Sequence, residues 1–130
     1  MERLTLPATQ FTPLVDFDFA ARALTLRGES YPENAAEFYG PILSSLRQYM
    51  SNGAHTGKIE VTLHFAYVNS SSTRSLQQLL TVLDAAARDG ANIEVRWLVE
   101  ADDDAMTELG VDLLGDKSSL IYEIVDTPLS

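Results

Sequence analysis

The sequence predicts an α/β fold: a two-layer sandwich with a mixed, mostly parallel sheet of about five strands and helices mainly on one face. Three observations carry this prediction. Apolar residues recur with period 2 in some segments and with helical spacing in others, in the order β-β-α-β-α-β-α-β. The strand segments are apolar on one side only, with Glu60, Thr62, His64, Glu94 and Arg96 marking a wet face. A sheet covered on both faces would be apolar throughout. Finally, 45% hydrophobic and 22% charged residues over 130 positions is the composition of a chain that folds, at a length that suits one domain, residues 1–130.

The elements follow in order. Leu14 to Phe19 alternates Val15, Phe17 and Phe19 with Asp16 and Asp18, which predicts a strand. Leu24 and Leu26, alternating with Thr25 and Arg27, predict a short second strand, and the brief Ala20–Arg22 connection makes the pair a hairpin. Gly28 to Asn34 breaks the pattern. Asn34 is a suitable N-cap, with Glu37 placed to bond back to the cap's N–H. Phe38, Ile42, Leu46 and Tyr49, widened by Leu43 and Met50, predict a helix over about 35–51, with Gly53 just past its end. Lys58 to Val68 reads as the central strand, with Ile59, Val61, Leu63, Phe65 and Tyr67 on one face. Leu76, Leu79, Leu80, Leu83, Ala86 and Ala87 then share a helical face that Gly90 closes. Ile93, Val95, Trp97 and Val99 mark another strand, Asp102 to Leu114 a shorter helix with its acids at the favourable N-terminus, and Leu120 to Val125 the last strand.

Composition removes several function classes. Nine Lys and Arg against nineteen Asp and Glu leave a net charge of −10 and a pI of about 4.4. Such a surface repels phosphate backbones and anionic lipid heads, so neither nucleic acid nor membrane is the expected partner. Without cysteine there is no disulfide framework, thiolate metal site or thiol nucleophile. The start, Met1-Glu-Arg-Leu-Thr-Leu-Pro7, lacks a basic region followed by an apolar run, and no stretch reaches membrane-spanning length. The expected setting is the cytoplasm.

Right-handed crossovers make the later strands parallel, so the segments after strands two, three and four emerge at one edge of the sheet. These are Gly28–Asn34, Asn69–Ser72 and Glu100–Asp103, and open α/β sheets bind ligands at that edge. Two readings fit Tyr67-Val-Asn-Ser-Ser-Ser-Thr73. As structure, it is an N-cap cluster in which only one hydroxyl or amide is needed. As function, it is a phosphoacceptor site beside the positive end of a helix, with Ser70 nearest the strand end and most exposed. The segment Gly28-Glu-Ser-Tyr-Pro-Glu-Asn34 divides the same way. A turn and a cap explain four of its residues, while Tyr31 among Glu29 and Glu33 suits either turn packing or a protein-recognition edge.

Other groupings carry less. His64 sits mid-strand and His55 in a loop, without the spacing of a two-histidine metal site. Glu100 and Asp102 to Asp104 lack the alternation and glycine of a calcium loop and read as a helix cap. Gly110-Val-Asp-Leu-Leu-Gly115-Asp-Lys-Ser118 imitates a phosphate-binding loop, but Asp116 separates Gly115 from Lys117 and the segment joins helix to strand rather than strand to helix. No catalytic motif, metal site or cofactor is indicated, so the residues point to an acidic binding module rather than an enzyme.

The two edge motifs together resemble the SiaC-like bacterial regulatory phosphoproteins, as do Thr12-Pro13 and Val95-Arg-Trp97, over about Thr9 to Val125. That family is similar in fold to the STAS domains of anti-sigma-factor antagonists. The resemblance implies a switch protein with no catalysis of its own, phosphorylated by a serine/threonine kinase and restored by a PP2C-type phosphatase. Unmodified, it would bind and activate a diguanylate cyclase, and so control cyclic di-GMP and biofilm formation. The family's phosphoacceptor is the Thr of an Asn-Thr-Ser-Ser motif, which falls here on Ser70 within Asn69-Ser-Ser-Ser72, with Ser71 as competitor. The implied partner-binding edge comprises Glu29, Ser30, Tyr31, Pro32, Glu33, Asn34, Asn69, Ser70, Ser71 and Ser72. An anti-sigma-factor antagonist that captures an anti-sigma kinase is the alternative reading.

Overall fold

Among the residues that the computed structural model describes, 1–52 and 57–127, six strands pair in sequence order into one sheet with three helices. The strands are β1 (Leu4–Leu6), β2 (Leu14–Asp18), β3 (Ala23–Ser30), β4 (Ile59–Val68), β5 (Ile93–Glu100) and β6 (Ile121–Thr127). The helices are α1 (Ala35–Ser51), α2 (Ser70–Arg88) and α3 (Asp104–Leu114). The expectation of about five strands is corrected to six, because Leu4–Leu6 is too short to leave a periodic signal in the sequence. The sheet is also mixed rather than mostly parallel: β1–β2 and β2–β3 are antiparallel, and β3–β4, β4–β5 and β5–β6 are parallel.

Sequential strand order with right-handed crossovers puts all three helices on one face. That face holds the core: Val15, Phe17, Leu24, Leu26, Val61, Leu63, Phe65, Val95 and Trp97 from the sheet meet Tyr39, Ile42, Leu46, Leu76, Leu79, Leu80 and Leu83 from the helices. Trp97, the largest of these, packs against Phe65 with ring centroids 5.8 Å apart and planes tilted by 49°, and donates from Nε1 to the carbonyl of Met106 at 2.9 Å. The other face carries ion pairs, Lys58 with Glu94 at 2.8 Å and Arg96 with Glu123 at 3.0 Å. These exposed pairs set strand pairing more than stability, at roughly 0–1 kcal/mol each.

Local chemistry fixes the helix starts. Asn34 Oδ1 accepts from the Glu37 N–H at 3.1 Å, so α1 begins where the sequence places it. The Glu37 carboxylate, however, returns to the Asn34 side-chain amide at 3.4 Å rather than to its backbone. Tyr39 rather than Phe38 enters the core, which leaves Phe38 half-buried. The expected C-terminal Gly53 lies outside the described residues, and Asn52 caps the helix. Asp103 caps α3, which therefore starts at Asp104 and not Asp102, and Asp102 takes φ +66° in the turn before it. Gly90, at φ +112°, turns the chain after α2 as expected.

Candidate functional site

The carboxyl ends of β3 and β4 carry the site, and one irregularity shapes it. Arg27 pairs with His64 and Gly28 with Phe65, but Glu29 then pairs with Tyr67. Ala66 is an extra residue in β4, tolerated because Gly28 opposite takes φ +129°. One inserted residue reverses the faces of all that follow. Tyr67, expected on the core side with Phe65, therefore turns outward and is half exposed, while Val68 goes in. The same irregularity extends β3 to Ser30, so Gly28–Ser30 is strand and not loop.

Turned outward, Tyr67 meets Tyr31 edge-on at 5.7 Å, and Tyr31 meets Phe11 at 5.3 Å. Phe11 is also half exposed, yet it is fixed. Thr9 Oγ1 accepts from the N–H groups of Phe11 and Thr12 at 3.1 and 3.0 Å, and the Phe11 carbonyl accepts from the Tyr31 N–H at 2.8 Å. An apolar groove of 550 Å³ runs beside the rings, bounded by Thr12, Pro32 and Glu33. Partial desolvation, and then the Glu29 carboxylate, hold the Tyr31 phenol above its ordinary pKa.

Beneath the rings the two segments are tied by buried polar groups. Asn69 Oδ1 caps α2 by accepting from the Ser72 N–H at 2.9 Å, and its side-chain amide reaches the Pro32 carbonyl at 3.5 Å. The Asn69 N–H donates to the Ser30 carbonyl at 2.9 Å. Ser30 Oγ donates to Ser72 Oγ at 2.8 Å, which leaves the Tyr39 hydroxyl as donor to Ser30 Oγ at 2.6 Å. All three side chains are fully buried, and burial pushes the Tyr39 phenol up to about 12. Of the three serines, Ser70 and Ser71 are exposed and Ser72 is sealed. The arrangement offers free hydroxyls on a rigid helix start beside an aromatic edge, which suits covalent modification coupled to protein recognition.

The sequence profile of the SiaC family, described as regulatory phosphoproteins, matches residues 6–126. The chain belongs to the SiaC family. An uncharacterized protein of Pseudomonas aeruginosa strain UCBPP-PA14 is 30% identical over 118 residues, spanning 91% of this chain and 92% of that one. Among solved structures, SiaC of Pseudomonas aeruginosa superposes with a TM-score of 0.88 at 28% identity, covering 98% of this chain and all of that one. A chain in the crystal structure of the diguanylate cyclase SiaD with its activator SiaC, from the same organism, gives 0.88 at 28% identity over 95% and 99% of the two chains.

In this SiaC-family chain the ten expected edge residues do not all face outward. Glu29, Glu33, Asn34, Ser70 and Ser71 are exposed, Tyr31, Pro32 and Asn69 are half-buried, and Ser30 and Ser72 lie beneath as the fasteners. The third expected segment, Glu100–Asp103, shares the edge, but no described hydrogen bond joins it to the other two. His64 lies on the open face with Nε2 shut from water and 3.6 Å from Glu100, and His55 falls outside the described residues. The false phosphate loop is accounted for by packing: Gly110 lies against Trp97, and Lys117 Nζ donates to the Leu113 carbonyl at 3.0 Å, closing α3. No metal-ligating cluster occurs among the described residues, and no described helix is long and apolar enough to cross a membrane. Phe11 and Tyr39 were missed in the sequence. Phe11 sits in an aperiodic segment, whereas Tyr39 was legible as the step between Ala35 and Ile42 on the buried stripe.

Proposed function

We propose that this protein is a non-catalytic phospho-switch, a single domain over residues 1–130 that works in the cytoplasm. In its unmodified form it docks on a diguanylate cyclase and raises cyclic di-GMP output, and phosphorylation at Ser70 releases it. A serine/threonine kinase forms the Ser70 Oγ–phosphorus bond as the terminal anhydride bond of ATP breaks; ADP leaves and the hydroxyl proton passes to the kinase. A PP2C-type phosphatase hydrolyses the ester, returning the hydroxyl and inorganic phosphate. The output is the planktonic-to-biofilm decision.

The observation that carries this reading is the placement of Ser70, exposed at the first turn of α2 and three residues from the half-exposed ring of Tyr67. Exposed, rigid aromatics make effective interface anchors, and a phosphate introduced beside them adds a charge that must be desolvated on docking. A tenfold loss of affinity needs only about 1.4 kcal/mol. The likeness in fold to a SiaC solved with its cyclase supports the choice of partner.

The test is calorimetric titration of a diguanylate cyclase from the same organism with the unmodified protein, with Ser70→Ala, and with protein phosphorylated by a serine/threonine kinase of that organism and mapped by mass spectrometry. A single phosphate on Ser70 and at least tenfold weaker binding are expected, with Ser70→Ala binding like the unmodified form. Equal affinity before and after phosphorylation, or a phosphate elsewhere, overturns the proposal.

A further inference from the structure

The starts of α1 and α2 converge on an open groove of 450 Å³, walled by Glu33, Asn34, Ser70, Ser71, Arg74 and Gln78. Ser70 and Arg74 stand four residues apart on α2, so their side chains rise from one face of the helix, roughly 5–6 Å apart at Cβ. Five of the nine Lys and Arg have a carboxylate partner, namely Arg3, Lys58, Arg88, Arg96 and Lys117, and of the other four only Arg74 lines this groove. Arg74 has none among the described residues, although Glu33 borders the same groove. Ser71 lines the same groove and stands three residues before Arg74, so it too lies one helical turn from the guanidinium.

We propose that a phosphate on Ser70 folds into this groove and pairs with the guanidinium of Arg74, so that the switch closes on the molecule itself. The inference rests on the reading of Ser70 as phosphoacceptor and adds where the phosphate goes. A guanidinium offers two parallel donors to a phosphate, a geometry that no other group lining the groove supplies. Ala35 and Ala36, the first two residues of α1, line the groove as well, and the Asn34 cap accepts from the Glu37 N–H rather than from theirs. Glu33 works in the opposite sense and keeps the pairing reversible. Release of a partner then follows from a filled groove and an arginine withdrawn from the surface, in addition to the added charge.

The test uses phosphoserine installed at position 70 during translation, which requires neither kinase nor cyclase. The second ionisation of the phosphate is followed by phosphorus NMR against a short phosphopeptide of residues 67–73. Pairing with Arg74 should lower that pKa by at least about 0.3 unit, the equivalent of one exposed i,i+4 ion pair. Arg74→Gln should return it to the peptide value, and Arg74→Lys should keep part of the shift. A peptide-like pKa at position 70 overturns the inference, and so does a shift that survives Arg74→Gln. Labelling of Ser70 by the kinase without this shift would sink the groove alone. The shift without any labelling would sink the phospho-switch and leave the groove standing.

Discussion

Ser30 Oγ and Ser72 Oγ lie 2.8 Å apart with neither side chain reachable by water, so the last residue of β3 is bonded to the first turn of α2. This bond, with the Tyr39 hydroxyl behind it, holds the two edge segments in register. The three groups form a chain in which Ser30 is the middle member. Removing the middle strands both ends, while removing an end strands one. Ser30→Ala should therefore cost about 2–3 kcal/mol and Ser72→Ala about 1 kcal/mol. Urea unfolding followed by circular dichroism gives both values, and an inverted order would contradict the chain as described.

Tyr39 also makes stability depend on alkaline pH. Its folded pKa of about 12 exceeds the unfolded value near 10, so the unfolded chain loses this proton first. The contribution is complete below pH 10 and is lost as pH rises from 10 to 12. It amounts to roughly 2–3 kcal/mol. The difference in unfolding free energy between wild type and Tyr39→Phe, measured at pH 9 and again near pH 12, should shift against the wild type by that order.

Phe11 separates folding from recognition. Its ring is half exposed and its main packing partner is Tyr31, so Phe11→Ala should cost about 1–2 kcal/mol of stability and leave the protein folded. Loss of a fixed aromatic anchor should nevertheless weaken cyclase binding about tenfold or more, or ~1.4 kcal/mol. Thermal melts and calorimetric titration on the same preparation distinguish the two effects.

Gly110 is a packing glycine. A Cβ there would stand 2.6 Å from Trp97 Cδ1 and 2.7 Å from Nε1, and the Trp97 ring is held by its bond to Met106. Gly110→Ala should destabilise by about 1–3 kcal/mol despite the higher helix propensity of alanine. Denaturant midpoints measure this, and a neutral or stabilised variant would show that α3 can move away from the sheet.

Much of this architecture was legible. The start of α1 followed from Asn34, and the one-sided strands placed the helices on one face of the sheet. What escaped was what periodicity does not encode. β1 spans three residues, less than two periods, and Ala66 breaks a ten-residue alternation that otherwise runs without fault. At the site, the serine run and Tyr31 stood out by composition. The roles within the run did not, because the burial of Ser72 is tied to Ser30, 42 residues earlier in the chain. Phe11 reaches Tyr31 only through the fold, since no local pattern marks it.

The extra residue in β4 makes length, rather than side-chain chemistry, the quantity that decides which rings reach the surface. Ala66 is exposed and contributes no ring, charge or cap, so almost any residue there would serve. Its deletion would serve badly, because Tyr67 would rejoin the inward row and Ser70 would be drawn back by one strand step, about 3.3 Å. Position 66 therefore tolerates change of spelling but not of count.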